Sequence, residues 1–268
     1  MRRIVSVVSA VLMMWISGGA WGTTRYVMGS VSASGDGLSW ETALKTIQEG
    51  IDAASPGDTV IVAEGTYLEN IHFDGKNITL TSTDRLDPSV VANTIIDGNK
   101  AGSVVTFSGT ETQACVLSGL TIRNGKTSGS GGGICGGAYP TYTHATIQNN
   151  TITGNSATYY GGGLYHCDGT IQNNTITGNS APFEGGGLYE CNGTIQNNTI
   201  TGNSAGFGGG LIYCDGTIQN NTIAGNSATF WGGGLSDCDG TIQNNTITGN
   251  SARESAGGLY YCNGTIQN

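Results

Sequence analysis

The chain has 268 residues, of which only 11% are charged and 46 are glycine; so much glycine argues against a helical globule and for many tight turns or close backbone approaches. No Gly-X-Y period exists and only 4 prolines occur, which excludes collagen, while 37% hydrophobic residues at recurring places argue against disorder. Ten Lys and Arg against 19 Asp and Glu give a net charge of −9, and from Ser128 onward seven acids face the single base Arg253, a balance that repels phosphate backbones and excludes nucleic-acid binding through counterion release.

The N-terminus, Met1-Arg2-Arg3 followed by an apolar run from Ile4 to Ile16 and small residues to Gly22, has the three-part layout of a secretory signal peptide, residues 1–22, cleaved near Ala20-Trp21-Gly22. An uncleaved anchor is the alternative. From Thr23 no apolar run is long enough to cross a bilayer, so the expected mature protein is secreted or held at the cell surface, with no transmembrane segment.

Residues 23–126 read as an N-terminal cap and irregular first coils. Ser39 can cap a helix whose stripe is Trp40, Ala43, Leu44, Ile47, Ile51 and Ala54, stopped by Pro56-Gly57. Such a helix would plug one open end of a solenoid. Thr59–Val62, Ile78–Leu80 and Val104–Phe107 read as strands, and Leu117–Ile122 as a degenerate copy of the core of the downstream repeats.

Residues 127–268 are repeats. The stretch Gly169-Thr170-Ile171-Gln172-Asn173-Asn174-Thr175-Ile176-Thr177-Gly178-Asn179-Ser180-Ala181 recurs from Gly193, Gly216 and Gly240 and restarts at Gly264, at spacings of 24, 23, 24 and 24 residues. Thr170–Gln172 and Thr175–Thr177 each place one apolar residue between two polar ones, the pattern of a half-buried strand. Leu164 and Cys167 mark a third short strand, and Asp168-Gly169, Asn173-Asn174 and Gly178-Asn179 mark corners. Three strands in about 24 residues predict an all-β fold, a right-handed parallel β-helix with an N-terminal capping helix. An antiparallel meander with Asp-Gly and Asn-Gly hairpins is the competitor, opposed by the fixed period.

Stacked coils would align Asn174, Asn198, Asn221 and Asn245 in one inward ladder, and Asn155, Asn179, Asn203, Asn226 and Asn250 in another, with Gln196 read as solvated. Cys167, Cys191, Cys214, Cys238 and Cys262 share one slot. Export invites disulfides, but parallel Cβ atoms one coil apart suit a buried thiol ladder better. The sequence stops at Asn268, five residues into a new copy, so further coils or domains are expected beyond it.

The opening segment, Ser39-Trp40 through Ile47, Pro56-Gly57-Asp58 and Gly65-Thr66-Tyr67, and the repeats Asn-Asn-Thr-Ile-x-Gly-Asn-Ser-Ala followed by Gly-Gly-Gly-Leu resemble right-handed parallel β-helix proteins of pectate-lyase-like architecture. The repeats are also similar to those of polymorphic outer-membrane protein and adhesin-like passengers. The resemblance spans nearly the whole mature chain and implies a fold that carries lyases, hydrolases, epimerases and adhesins alike.

The residues separate these functions poorly. β-Elimination wants Arg or Lys beside a calcium-carboxylate cluster, and the repeats offer only Arg253. Asp237-Cys238-Asp239 is the nearest approach to grouped aspartates, and Asp239 shares a turn slot with Asp168, Asp215, Asn192 and Asn263. Just before the cysteine, Glu190 and Asp237 share a row with His166 and Tyr213; a carboxylate pair there would suit glycoside hydrolysis or calcium, against the plainer reading of a variable solvated row. His72, His144 and His166 are read as dispersed surface residues, and zinc is not expected because no C-x-x-C or close His pair occurs.

Tyr159, Phe183, Phe207 and Phe230, with Tyr160 and Trp231 beside two of them, read as one aromatic row able to hold sugar rings or to pack as a ridge. Thr151/Thr153, Thr175/Thr177, Thr199/Thr201 and Thr246/Thr248 form a hydroxyl array of the kind an ice-binding solenoid uses, or serve simply as good strand residues. The first expectation is an exported scaffold or adhesin-like segment, without cofactor or recognisable catalytic site, touching polysaccharide or a cell-surface component. A polysaccharide lyase or glycoside hydrolase comes second, an ice-binding solenoid third.

Overall fold

The computed structural model describes residues 22–267; apart from Gly22, the expected signal peptide lies outside them. Among the described residues no helix is long and apolar enough to cross a membrane.

The chain winds as a parallel β-helix whose strands stack into four sheets. In one coil, Thr170–Gln172 joins a ten-stranded first sheet, Thr175–Thr177 an eight-stranded second, Ser180–Glu184 a six-stranded third and Leu188–Tyr189 an eight-stranded fourth. The sequence predicts three strands per coil. The one it misses is Ser180–Glu184 and its equivalents, because that strand sends only the small Ala181 inward, too faint an apolar alternation to register as a strand. The third sheet begins only at Lys126–Thr127.

Each coil turns by one device used four times. Asn173 (φ 56°), Gly178 (62°), Gly185 (68°) and Glu190 (44°) adopt the left-handed conformation, reversing the chain for one residue. After three of these, the next side chain points inward: Asn174, Asn179 and Cys191 are buried. At the fourth, a Cβ on Gly185 would meet Leu188 O at 2.7 Å and Tyr189 Cβ at 2.8 Å, so the glycine run lets the third strand fold closely onto the fourth.

Identical residues stack in register. Ile171 pairs with Ile195, Ile176 with Ile200 and Leu164 with Leu188, and all are fully buried, each contributing about 1.5–3 kcal/mol of burial. Asn198 sits between two copies of itself. Its Nδ2 donates to Ile171 O at 2.8 Å and to Asn221 Oδ1 at 3.1 Å, while its Oδ1 accepts from the Asn174 backbone N–H at 2.9 Å and from Asn174 Nδ2 at 3.0 Å. The Asn155 to Asn250 ladder repeats this pattern, and Asn150 heads the first ladder, one coil earlier than the sequence places it.

Gln196 is not simply solvated. It is half-buried, donates to Gln172 at 2.8 Å and accepts from Gln219 at 2.9 Å, in a third ladder running from Gln148 to Gln243. The five repeat cysteines are free thiols, four of them buried and Cys262 partly so. Burial pushes the Cys191, Cys214 and Cys238 thiols well above the usual range, so they pack as small apolar groups with weak Sγ contacts to carbonyls, as from Cys238 to Ser236 O at 3.3 Å.

The N-terminal helix α1 is shorter than the periodicity predicts: it spans Ile47–Ala53 and is capped by Thr46. Residues before it run as a turn and an edge pairing, since Leu44 N donates to Tyr26 O and Leu44 O accepts from Met28 N. Those backbone bonds to Thr24–Val27 compete with helix formation, and Thr46 with Glu49 forms a capping box that starts the helix instead. Ile47 and Ile51 are buried against the first coil, and Ala43, Leu44 and Ala54 are buried as the stripe requires. Trp40 is half-buried, its ring tilted against that of Tyr26 with centroids 4.7 Å apart.

Candidate functional site

The aromatic residues do not form one row. The coil from Gly193 to Asp215 is one residue short, and the deletion falls in the third strand, where the register shifts after Ala181 and again after Ala205. Phe207 therefore stands opposite Glu184 on one side and Trp231 on the other, while Tyr160 pairs with Glu184. Two groups result. Tyr159 and Phe183 contact each other at 5.7 Å and lie 47% and 53% exposed, whereas Phe207 contacts both Phe230 at 4.9 Å and Trp231 at 5.0 Å.

Because the glycine run folds the third strand back onto the fourth, the row Tyr160, Glu184, Phe207 and Trp231 faces the outward residues of the fourth sheet: Tyr165, Tyr189, Ile212, Ser236 and Tyr260. Beyond these lies the corner row His166, Glu190, Tyr213, Asp237 and Tyr261, all in the left-handed conformation with φ between 44° and 55°. Gly and Asn tolerate this backbone best and Asp and His next, so the strain, about 1–2 kcal/mol each, falls mainly on Glu190, Tyr213 and Tyr261.

The three rows close on a cleft of about 370 Å³ lined by Glu184, Phe207, Ile212, Tyr213, Trp231, Asp237, Tyr260 and Tyr261. Thus two sets of residues that look separate in the sequence, the aromatics and the acids before the cysteines, meet across one groove. Trp231 stacks on Tyr260 with centroids 5.2 Å apart. Burial, and after it the nearby charges of Asp237 and Glu190, hold the Glu184 carboxyl above the ordinary range. Burial also raises the Tyr213 and Tyr189 phenols, with Glu184 and Glu190 adding to it. Asp237 accepts from Ser236 Oγ at 2.6 Å.

Glu190 and Asp237 lie two coils apart with Tyr213 between them, hence about 10 Å by sheet spacing. Among the described residues no group of three or more His, Cys, Asp or Glu is placed to hold a metal ion.

His166 is not a surface residue. It is 3% exposed, its ring stacks on Tyr165 at 3.6 Å and lies 4.1 Å from Tyr142, and Nε2 is 2.8 Å from Glu190 Oε2. Its Nδ1 is buried without a partner. Burial lowers its pKa, and Glu190 partly opposes this. The same burial raises the Tyr165 phenol to about 12.

Sequence reasoning misses Glu184, Tyr189, Tyr260 and Tyr261. The signal for Glu184 was the 23-residue coil: shifting that one copy by one residue puts Phe207 beside Trp231 and Glu184 in their row. The Thr-x-Thr pairs do stack outward on the second sheet, Thr151 on Thr175 and Thr175 on Thr199, but Ala224 interrupts the second column between Thr201 and Thr248. A smaller cleft of about 220 Å³ beside them is lined by Arg85, Leu86, Val91, Asn149 and Thr175 among others and brings no pair of titratable groups together.

Residues 136–268 match the family of right handed beta helix regions. That part of the chain is a right-handed β-helix and belongs to this family, and residues 23–126 continue the same sheets toward the N-terminus. No curated protein and no solved structure matches the chain.

Proposed function

We propose that the chain is an exported β-helix scaffold that holds a polysaccharide chain in this groove without cleaving it. The observation that carries the reading is the meeting of Trp231, Phe207 and Tyr260 with Tyr213, Tyr261 and two carboxylates in one elongated cleft. Flat aromatic faces bury the apolar faces of sugar rings, and hydroxyls and carboxylates at the rim pair with sugar hydroxyls. The groove runs along the helix axis, so coil after coil presents a binding step about every 4.8 Å, the repetition a polymer uses. No lining residue is a Lys or Arg able to serve as the base of an elimination, which argues against a lyase.

Affinity electrophoresis in gels cast with neutral, acidic and cationic polysaccharides tests this. Trp231→Ala is expected to lose at least about 1 kcal/mol of binding, a fivefold or larger drop in retention, with unchanged circular dichroism. Release of unsaturated or reducing ends by the parent protein would replace this reading with that of a lyase or hydrolase.

A further inference from the structure

We infer that the groove selects a cationic amino-sugar polymer, a linear chain of hexosamine units with free, protonated amino groups, over neutral and uronic-acid chains. This rests on the reading of the groove as a polysaccharide site and names its ligand class.

Charge is the first reason. The lining contributes Glu184 and Asp237, and Glu190 stands close enough to raise Glu184. No lining residue is basic, and the one base after Lys126, Arg253, is exposed in the coil beyond Trp231. A uronic-acid chain would bring a carboxylate per ring into this field and be repelled, whereas an ammonium group would be drawn in.

The state of Glu184 is the second. Among the described residues nothing donates a hydrogen bond to its carboxylate, and burial together with two like charges disfavours its ionised form. A half-buried carboxylate with acidic neighbours and no donor lacks a cation, and a ligand ammonium supplies both charge and donors.

The third is the aromatic wall. Trp231 and Phe207 stand side by side at 5.0 Å, and Trp231 stacks on Tyr260. Such faces take the apolar side of a sugar ring and also attract an ammonium group through the ring quadrupole. The acids are spaced along the axis: Glu190 and Asp237 flank Tyr213 two coils apart, as Glu184 and Trp231 flank Phe207. A two-fold ribbon of linked hexosamines presents equivalent amino groups on alternate rings, so its repeat runs in step with alternating acidic and aromatic coils. A small quaternary ammonium ligand would use only one such step.

The test compares retention of the full protein on soluble chitosan, on a fully N-acetylated glycol chitin and on polygalacturonate, at mildly acidic pH. Because a chain of net charge −9 meets any polycation favourably, two double variants of equal charge are compared. Glu184→Gln with Asp237→Asn removes the groove acids. Asp215→Asn with Asp239→Asn removes two exposed corner acids whose turn role Asn192 and Asn263 already fill.

Expected are preference of the parent for chitosan over the acetylated polymer, about tenfold or greater loss for the groove variant, and near-parent retention for the corner variant, all with unchanged circular dichroism. Equal loss in both double variants would overturn the inference in favour of general surface charge. Equal retention of the parent on the acetylated polymer would overturn amino-group selectivity while leaving polysaccharide binding in place, and no retention on any polymer would remove both. Competition by polylysine as effective as that by glucosamine oligomers would overturn it in favour of a simple cation surface.

Discussion

At the scale of single residues, the inward asparagines decide whether coils can stack. Asn198 uses both amide hydrogens and its carbonyl oxygen in four bonds to neighbouring coils while 1% exposed, so no water can replace a lost partner. Asn198→Asp turns the donor that faces Ile171 O and Asn221 Oδ1 into an acceptor and buries a charge between stacked amides. The expected loss is about 3 kcal/mol at neutral pH. Burial raises the folded-state pKa of the introduced carboxyl above its unfolded value near 4, so the loss is least below about pH 4, where one O–H stands in for one of the two N–H donors, and grows as pH rises. The control is Asn192→Asp at an exposed corner, where Asp168 and Asp215 already occupy the equivalent slot. Urea unfolding of both variants at pH 4 and pH 7 checks this, and equal midpoints would show that the ladder does not hold the coils together. Gln196→Glu, which looks neutral from sequence because a strand's outward glutamine reads as solvated, breaks a stacked amide pair and is itself expected to cost stability.

At the scale of elements, three rows meet because a left-handed corner and a glycine corner stand on either side of the two-residue fourth strand. Function and stability oppose each other there. Glu184 carries a raised pKa from burial, Asp237 and Glu190, so its ionisation costs the folded state stability that is intact below the unfolded pKa of about 4.3 and lost as pH rises through the folded value. Glu184→Gln should therefore raise the melting temperature at pH 7 and leave it nearly unchanged at pH 3.5, while retention on polysaccharide falls. Scanning calorimetry at the two pH values checks the sign, and a variant stabilised equally at both would show that charge is not the cause. Tyr213→Asn, which relieves a backbone at φ 52°, should add about 1 kcal/mol and again weaken retention. Much of this architecture is legible in the sequence, because the Ile, Asn and Leu slots repeat and stacking follows from repetition. The groove is not. Its walls are built from slots that change type in every coil, and one missing residue before Phe207 moves that side chain from the Phe183 and Phe230 position into the Glu184 and Trp231 row. The shortened α1 was legible in Thr46 and Glu49, but the apolar stripe that continues back to Trp40 masks it.

At the scale of the whole molecule, each regular coil bonds only to the coils before and after it, so stability should be nearly a sum over coils and their interfaces. Deleting Gly193–Asp215 joins Asn192 to Gly216 and brings Asn174 against Asn221, Ile171 against Ile218 and Leu188 against Leu235, the same pairs that the intact chain makes elsewhere. The shortened protein should fold, with the same circular dichroism per residue and a modestly lower melting temperature. The groove changes in kind. With Phe207 and Tyr213 gone, Glu184 abuts Trp231, and Glu190 comes to lie one coil, about 4.8 Å, from Asp237. Two carboxylates that close raise the pKa of one of them, so the deletion variant should lose stability as pH rises from about 4 to 7, by more than the parent does. Adding Glu190→Gln should remove that excess slope, since Gln keeps the size of the side chain and leaves Asp237 alone in its row. Urea midpoints of the parent, the deletion and the deletion with Glu190→Gln at the two pH values check both parts. A deletion variant that fails to fold would show that the repeats cooperate beyond nearest neighbours, and one with the parent's pH slope would show that Tyr213 is not what keeps the two acids apart.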